Sequence, residues 1–153
     1  MSTNILLAVD TAAHDPLQHV VAAADMTRDL ARDSGDHVIV LHVHEFAVGR
    51  FGRIRIDCAE REGEEVVEKI VSDLRAAGIS AEGEITEANT GHVAKAILAA
   101  ARHRDARLVV LGSSSRTDLP RVPLGSVATR LLHTATRPVL IVPRPDTAAK
   151  DGE

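Results

Sequence analysis

The chain is read as a single α/β domain with an open parallel sheet and helices on both faces. Three observations carry this. Four short apolar runs, Asn4–Val9, Val38–Val43, Leu108–Leu111 and Pro138–Val142, show no polar alternation, as strands buried on both faces do. Amphipathic stretches with helical spacing separate them, and strand–helix alternation implies parallel pairing. At 153 residues, with 44% hydrophobic and 26% charged content, the chain fits one ordinary globular core.

The first strand, Asn4-Ile-Leu-Leu-Ala-Val9, ends at Asp10. Asp15-Pro16 opens the first helix, with Asp as N-cap, Pro at the first helical position and Gln18 at the capping-box position. Leu17, Val20, Val21, Ala24 and Ala31 form its stripe, and Gly35 stands at the C-terminal cap. The second strand is Val38–Val43. From Glu45 to Asp57 the chain is expected to be irregular, with Arg50, Arg53 and Arg55 around Phe51. A second helix buries Val66, Val67, Ile70, Val71 and Leu74 and stops at Gly78. A third strand, Ile79–Glu87, carries Glu82, Glu84, Glu87 and an internal Gly83, which suits a sheet edge. Asn89 or Thr90 is expected to cap a third helix bearing Val93, Ala94, Ile97, Leu98 and Ala101. The fourth strand is Leu108–Leu111, Ala128, Leu131, Leu132 and Ala135 make the stripe of the fourth helix, and the fifth strand is Pro138–Val142. No linker or repeat marks a second domain: residues 1–145 are expected to form the domain and 146–153 a flexible tail.

Composition narrows the function. The chain has two Phe and no Tyr or Trp, which removes the stacking platforms of single-strand and RNA binders. A net charge of −4 argues against broad attraction to nucleic acid or an acidic membrane. No run approaches the ~18 apolar residues of a membrane span, and no signal peptide is recognisable at the N-terminus. The single cysteine, Cys58, has no internal disulfide partner, which suits a reducing cytoplasmic setting.

One segment stands out as functional. Between Gly112 and Gly125 lie twelve mostly polar residues, against the roughly 2–6 usual for such connections. Glycine at each end allows close backbone approach, and a Gly125-Ser126 helix start offers unpaired N–H groups and a hydroxyl to an anion. The loop is neither a Walker A sequence nor Gly-x-Gly-x-x-Gly. Arg116 and Arg121 are candidate phosphate contacts, set against the plainer reading of solvated loop arginines. Asp10, at the carboxyl end of the first strand, would meet ribose or base if the first and fourth strands are neighbours, because ligands sit beyond strand carboxyl ends where strand order reverses; its plainer role is to cap a turn. His42 and His44 share one strand face but lack a third ligand, so no metal site is assigned. Gly112-Ser-Ser-Ser-Arg116 fails the Gly-x-Ser-x-Gly pattern at Arg116, and no catalytic residue is assigned.

Over nearly its whole length the chain resembles the universal stress protein family. The resemblance rests on Ile5-Leu-Leu-Ala-Val-Asp10, Leu41-His-Val43, Leu108-Val-Val-Leu-Gly112, Gly125-Ser-Val-Ala-Thr-Arg-Leu-Leu-His133 and Arg137-Pro-Val-Leu-Ile-Val142. Nucleotide-binding members of that family carry Gly-x2-Gly-x9-Gly-Ser/Thr; here Gly112, Gly125 and Ser126 match and Ser115 replaces the middle glycine. The resemblance implies a Rossmann-like sheet of the adenine nucleotide alpha-hydrolase type, five parallel strands in order 3-2-1-4-5, and a homodimer through the last strand, Val139 to Val142. It also implies an ATP site, with or without Mg2+, between strands one and four. In that site Ala8 and Val9 flank the base, Asp10 meets adenine or ribose, Val43 touches adenine, Gly112 passes close to ribose and phosphates, and Gly125, Ser126 and Val127 hold phosphates. Ser115 would add a Cβ and a hydroxyl at the phosphate loop. The expected function is a regulatory protein of the stress response that binds an adenine nucleotide, with at most slow ATPase or autophosphorylation activity. The alternative is a nucleotide-free dimerisation or adaptor module of the same family.

Overall fold

The computed structural model describes residues 3–9, 16–55, 60–112 and 125–143. The elements follow in the order β1 (Asn4–Val9), α1 (Pro16–Ser34), β2 (His37–Gly49), β3 (Gly52–Arg55), α2 (Glu60–Ala76), β4 (Ala81–Asn89), α3 (Val93–His103), β5 (Ala106–Gly112), α4 (Ser126–Thr134) and β6 (Val139–Val142). β1 lies between β2 and β5, both parallel to it, with Ala8 opposite Leu41 on one side and Leu111 on the other. β4 extends the sheet beyond β2 and β6 beyond β5, again in parallel. The parallel strands therefore run β4-β2-β1-β5-β6, the expected 3-2-1-4-5.

The sheet departs from expectation in having six strands and being mixed. The stretch expected to be irregular instead continues β2 to Gly49, turns at Arg50-Phe51, and returns as antiparallel β3, with Phe46 opposite Arg55 and Gly49 opposite Gly52. Gly52 takes a φ of +120°, a conformation open to glycine. Phe46, Val48 and Ile54 are strand formers, and the Arg53 guanidinium lies over the Phe46 ring at 4.4 Å before reaching Glu87 Oε2 at 3.2 Å.

The two faces of the sheet bury separate aliphatic clusters. Ile5, Leu7, Val9, Val38, Val40 and Val110 pack against α1 and α2. Leu6, Ala8, Ile39, Leu41, Val109 and Leu111 pack against α3 and α4. This follows from strand alternation: successive residues of β1 point to opposite faces. Gly35 and Gly78 end α1 and α2 with φ of +76° and +82°, as their places in the sequence predict. β4 pairs only with β2 among the described strands, the edge position foreseen for it, and its Gly83 makes room for α2, since a Cβ there would lie 2.7 Å from Val67 Cγ1. α3 begins later than predicted. Its N-cap is His92, without a side-chain capping bond, whereas Thr90 donates from both N and Oγ1 to the Phe46 carbonyl at 2.7 and 3.0 Å. Among the described residues no helix is long and apolar enough to cross a membrane.

At the amino edge of the sheet, Asp36 gathers hydrogen bonds from Thr3, Ser34 and Arg107. Burial alone would raise its pKa; those hydrogen bonds and the Arg107 charge outweigh it and hold the carboxyl well below the usual carboxylate range. This cluster ties the start of β1, the end of α1 and β5 together at the pole opposite the strand carboxyl ends.

Candidate nucleotide site at the strand carboxyl ends

Of the residues singled out in the sequence, Ala8, Val9 and Gly112 lie at the carboxyl ends of β1 and β5, Val43 lies within β2 just past the end of β1, and Gly125, Ser126 and Val127 lie at the start of α4. Ala8 is 6% exposed and faces α3 and α4. Val43 continues that face of β2 two residues beyond Leu41, the register partner of Ala8, and is half-buried. Val127, in the first turn of α4, packs on the same cluster as Val43 and Ala8. These three side chains form an apolar wall under one rim. Gly112 ends β5 one residue past Leu111, the partner of Ala8, and is half-buried opposite Val142.

Gly125 is the N-cap of α4, with φ −55° and ψ 160° and no side-chain capping bond. Thr129 N donates to the Gly125 carbonyl at 3.0 Å, the first turn-closing bond. The amides of Ser126, Val127 and Ala128 therefore stand at the positive end of the helix without an intrahelical acceptor. Ser126 is exposed. An apolar wall that reaches a helix N-terminus, with a side-chain-free glycine at the end of β5, suits a flat apolar base joined to an anionic tail.

Val9 points the other way. It belongs to the cluster under α1 and α2, and its carbonyl lies 3.1 Å from His42 Nδ1. Val9 thus reaches the rim through its backbone. Asp10, Ser115, Arg116 and Arg121 lie outside the described residues, as do Ser113, Ser114 and Cys58.

His42 and His44 do share one face, as their spacing requires. They are 3% and 4% exposed, with ring centroids 4.9 Å apart at 86°. The His42 ring fills a space left by Gly63 in α2, where a Cβ would stand 2.4 Å from Cδ2 and 2.5 Å from Nε2. Among the described residues no three His, Cys, Asp or Glu side chains form a metal-binding group.

A cluster beside the wall was not foreseen. Glu45, two residues past Val43, accepts from the Gly91 amide at 3.3 Å, and Arg130 of α4 donates to the Gly91 carbonyl. Thr90-Gly91 has the look of a turn in sequence, but nothing there pairs it with residues 46 and 39 positions away.

The order of the parallel strands, which reverses between β1 and β5, defines a doubly wound α/β protein of the kind that places ligands beyond strand carboxyl ends. The pattern that defines the universal stress protein family matches residues 1–143, and the chain belongs to that family. It is 31% identical over 152 residues to a universal stress protein of Mycolicibacterium smegmatis, covering 96% of this chain and 50% of that protein. The chain spans about half the length of the curated relatives it matches. Among solved structures, a universal stress protein from Archaeoglobus fulgidus superposes with a TM-score of 0.71 at 22% identity, covering 93% of this chain and 99% of the other. The structure of the universal stress protein from the same organism in complex with dAMP gives a TM-score of 0.67 at 22% identity, covering 92% and 97%.

Proposed function

We propose that this chain is a cytoplasmic regulatory protein of the stress response that binds an adenine nucleotide, ATP foremost, at the carboxyl rim of β1, β2 and β5. The observation that carries the reading is the convergence of Ala8, Val43 and Val127 on one apolar cluster beside Gly112 and the N-terminus of α4. The base would lie against Ala8 and Val43, with the Val9 backbone beside it. Ribose would pass Gly112, and phosphates would meet the amides of Ser126 and Val127 above Gly125. Asp10 would take ribose or base, and Ser115, Arg116 and Arg121 would approach the phosphates, with Mg2+ sharing their charge. The dAMP complex of the Archaeoglobus fulgidus relative supports an adenine nucleotide as the ligand class.

A homodimer through Val139–Val142 belongs to the same reading: β6 pairs only with β5 among the described strands, and three of its four residues are half-buried. The proposed role is to bind and report a nucleotide, with at most slow ATPase or autophosphorylation activity. Ser115 in place of glycine favours a second reading, a nucleotide-free dimerisation module, because a Cβ facing phosphate costs about 1 kcal/mol or more where a left-handed backbone is required. The deciding experiment is to denature purified protein, identify any released nucleotide by mass spectrometry, and titrate the apo protein with ATP and magnesium. Absence of binding at millimolar ATP in folded protein contradicts the nucleotide reading.

A further inference from the structure

The turn between β4 and α3 is gripped from two sides, and both grips lead to the candidate site. On one side Thr90 N and Oγ1 donate to the Phe46 carbonyl, and Glu45 accepts from the Gly91 amide, so the turn is fixed to β2 two and three residues past Val43. On the other side the Gly91 carbonyl accepts from the Arg130 guanidinium of α4. Gly91 has a φ of +82°, and a Cβ on it would lie 3.3 Å from Arg130 Nη1, so glycine both permits the turn and leaves the guanidinium its approach.

α4 spans only nine residues and is seated on the sheet by Ala128 and Leu131. Apolar burial holds such a helix down but is non-directional, leaving its axial position and tilt loosely set. A charge-assisted hydrogen bond to a fixed carbonyl is directional and supplies that missing constraint. We propose that Arg130 is a positioning residue for phosphate binding: through Gly91 and Glu45 it holds the N-terminus of α4 in register with the base wall at Val43. This rests on the nucleotide-binding reading above. Arg130 acts through the turn and touches no part of the nucleotide.

The test compares ATP with adenosine by calorimetric titration of Arg130→Ala, Arg130→Lys and Glu45→Ala, all at solvent-accessible positions. Arg130→Ala should weaken ATP by about five- to tenfold and leave adenosine within about twofold, with Arg130→Lys recovering most of the loss. Glu45→Ala separates positioning from simple charge. It removes both the acceptor for the Gly91 amide and a negative charge near the site, so bulk electrostatics predicts tighter ATP, whereas release of the turn predicts weaker ATP. Tighter or unchanged ATP binding by Glu45→Ala overturns the proposal, as does equal weakening of ATP and adenosine by Arg130→Ala. Amide hydrogen exchange at Ser126–Ala128 judges the clamp separately from ligand binding. If wild-type protein binds neither ATP nor adenosine, the nucleotide reading fails, and with it the phosphate-positioning role. Faster exchange in Arg130→Ala would then retain the clamp as a structural element only, and unchanged exchange would remove the clamp too.

Discussion

Gly63→Ala is the most decisive perturbation of the scaffold, because two effects of opposite sign meet there. Gly63 lies within α2, where replacing glycine by alanine normally gains up to about 1 kcal/mol of helix stability. In this protein the new Cβ would stand 2.4 Å from His42 Cδ2, about 1 Å inside the ordinary carbon–carbon contact distance of roughly 3.5 Å. The ring has little room to retreat. It is 3% exposed, packs edge-on against His44, and its Nδ1 lies 3.1 Å from the Val9 carbonyl, a bond that needs the proton on Nδ1. A displacement of that size stretches the bond past useful length. Overpacking costs about 1–3 kcal/mol and the lost hydrogen bond about 1 kcal/mol, against the helical gain of up to about 1. The net expectation is destabilisation by about 1–3 kcal/mol, or a Tm lower by roughly 2–10 °C for a domain of this size. With no Trp or Tyr in the chain, urea unfolding followed by far-UV circular dichroism is the suitable assay. A lower midpoint at unchanged m-value is predicted. A midpoint equal to or above wild type would refute the argument, since helix propensity would then have decided the outcome.

Asp36 sets the acid limb of stability. Its carboxyl titrates lower in the folded protein than in the unfolded chain, so its contribution is complete above the unfolded value near 3.9 and is lost as pH falls toward the folded one. Asp36→Asn should cost about 1.5–2 kcal/mol at pH 7, toward the lower end for bonds to a charged group because the Arg107 side chain is 45% exposed, and should flatten the fall in stability below about pH 4. Undiminished acid dependence in the variant would contradict this. Ser115→Gly, which restores the glycine of the family's phosphate loop, should bind ATP more tightly than wild type if a Cβ obstructs the phosphates; fluorescent-ATP titration reads the change, and weaker binding would show instead that the serine hydroxyl contributes. Binding in the variant alone would favour the nucleotide-free reading of the natural chain.

Much of the fold was legible because the determining signals are local. The uninterrupted apolar runs of β1, β2, β5 and β6 announce buried parallel strands, and Gly35 and Gly78 mark where two helices must stop. The β2–β3 hairpin was not legible. Its turn, Arg50-Phe51, lacks the Asn-Gly or Asp-Gly signature, and arginines flank Ile54 in its second strand. The start of α3 misled for a related reason. Thr90 is a good capping residue by type, but the Phe46 carbonyl, 44 positions away, claims its hydroxyl. In the candidate site, Gly112 and the helix start at Gly125 were recognisable from pattern, whereas Ala8 and Val43 came only with the family resemblance, and Val43 lies within a β2 that continues to Gly49. The fit of His42 against Gly63 and the grip of Glu45 and Arg130 on Gly91 depend on tertiary contacts that no local spacing encodes.

The proposed adenine-nucleotide site lies at the rim of β1, β2 and β5 with the N-terminus of α4. Its most direct test is calorimetric titration of ATP with magnesium into nucleotide-free protein, alongside Gly125→Asp, which sets a carboxylate where the phosphates would lie. Saturable binding by the wild type at or below millimolar ATP, abolished in a folded Gly125→Asp variant, is the predicted result. No binding by the wild type, or equal binding by both proteins, would contradict the account.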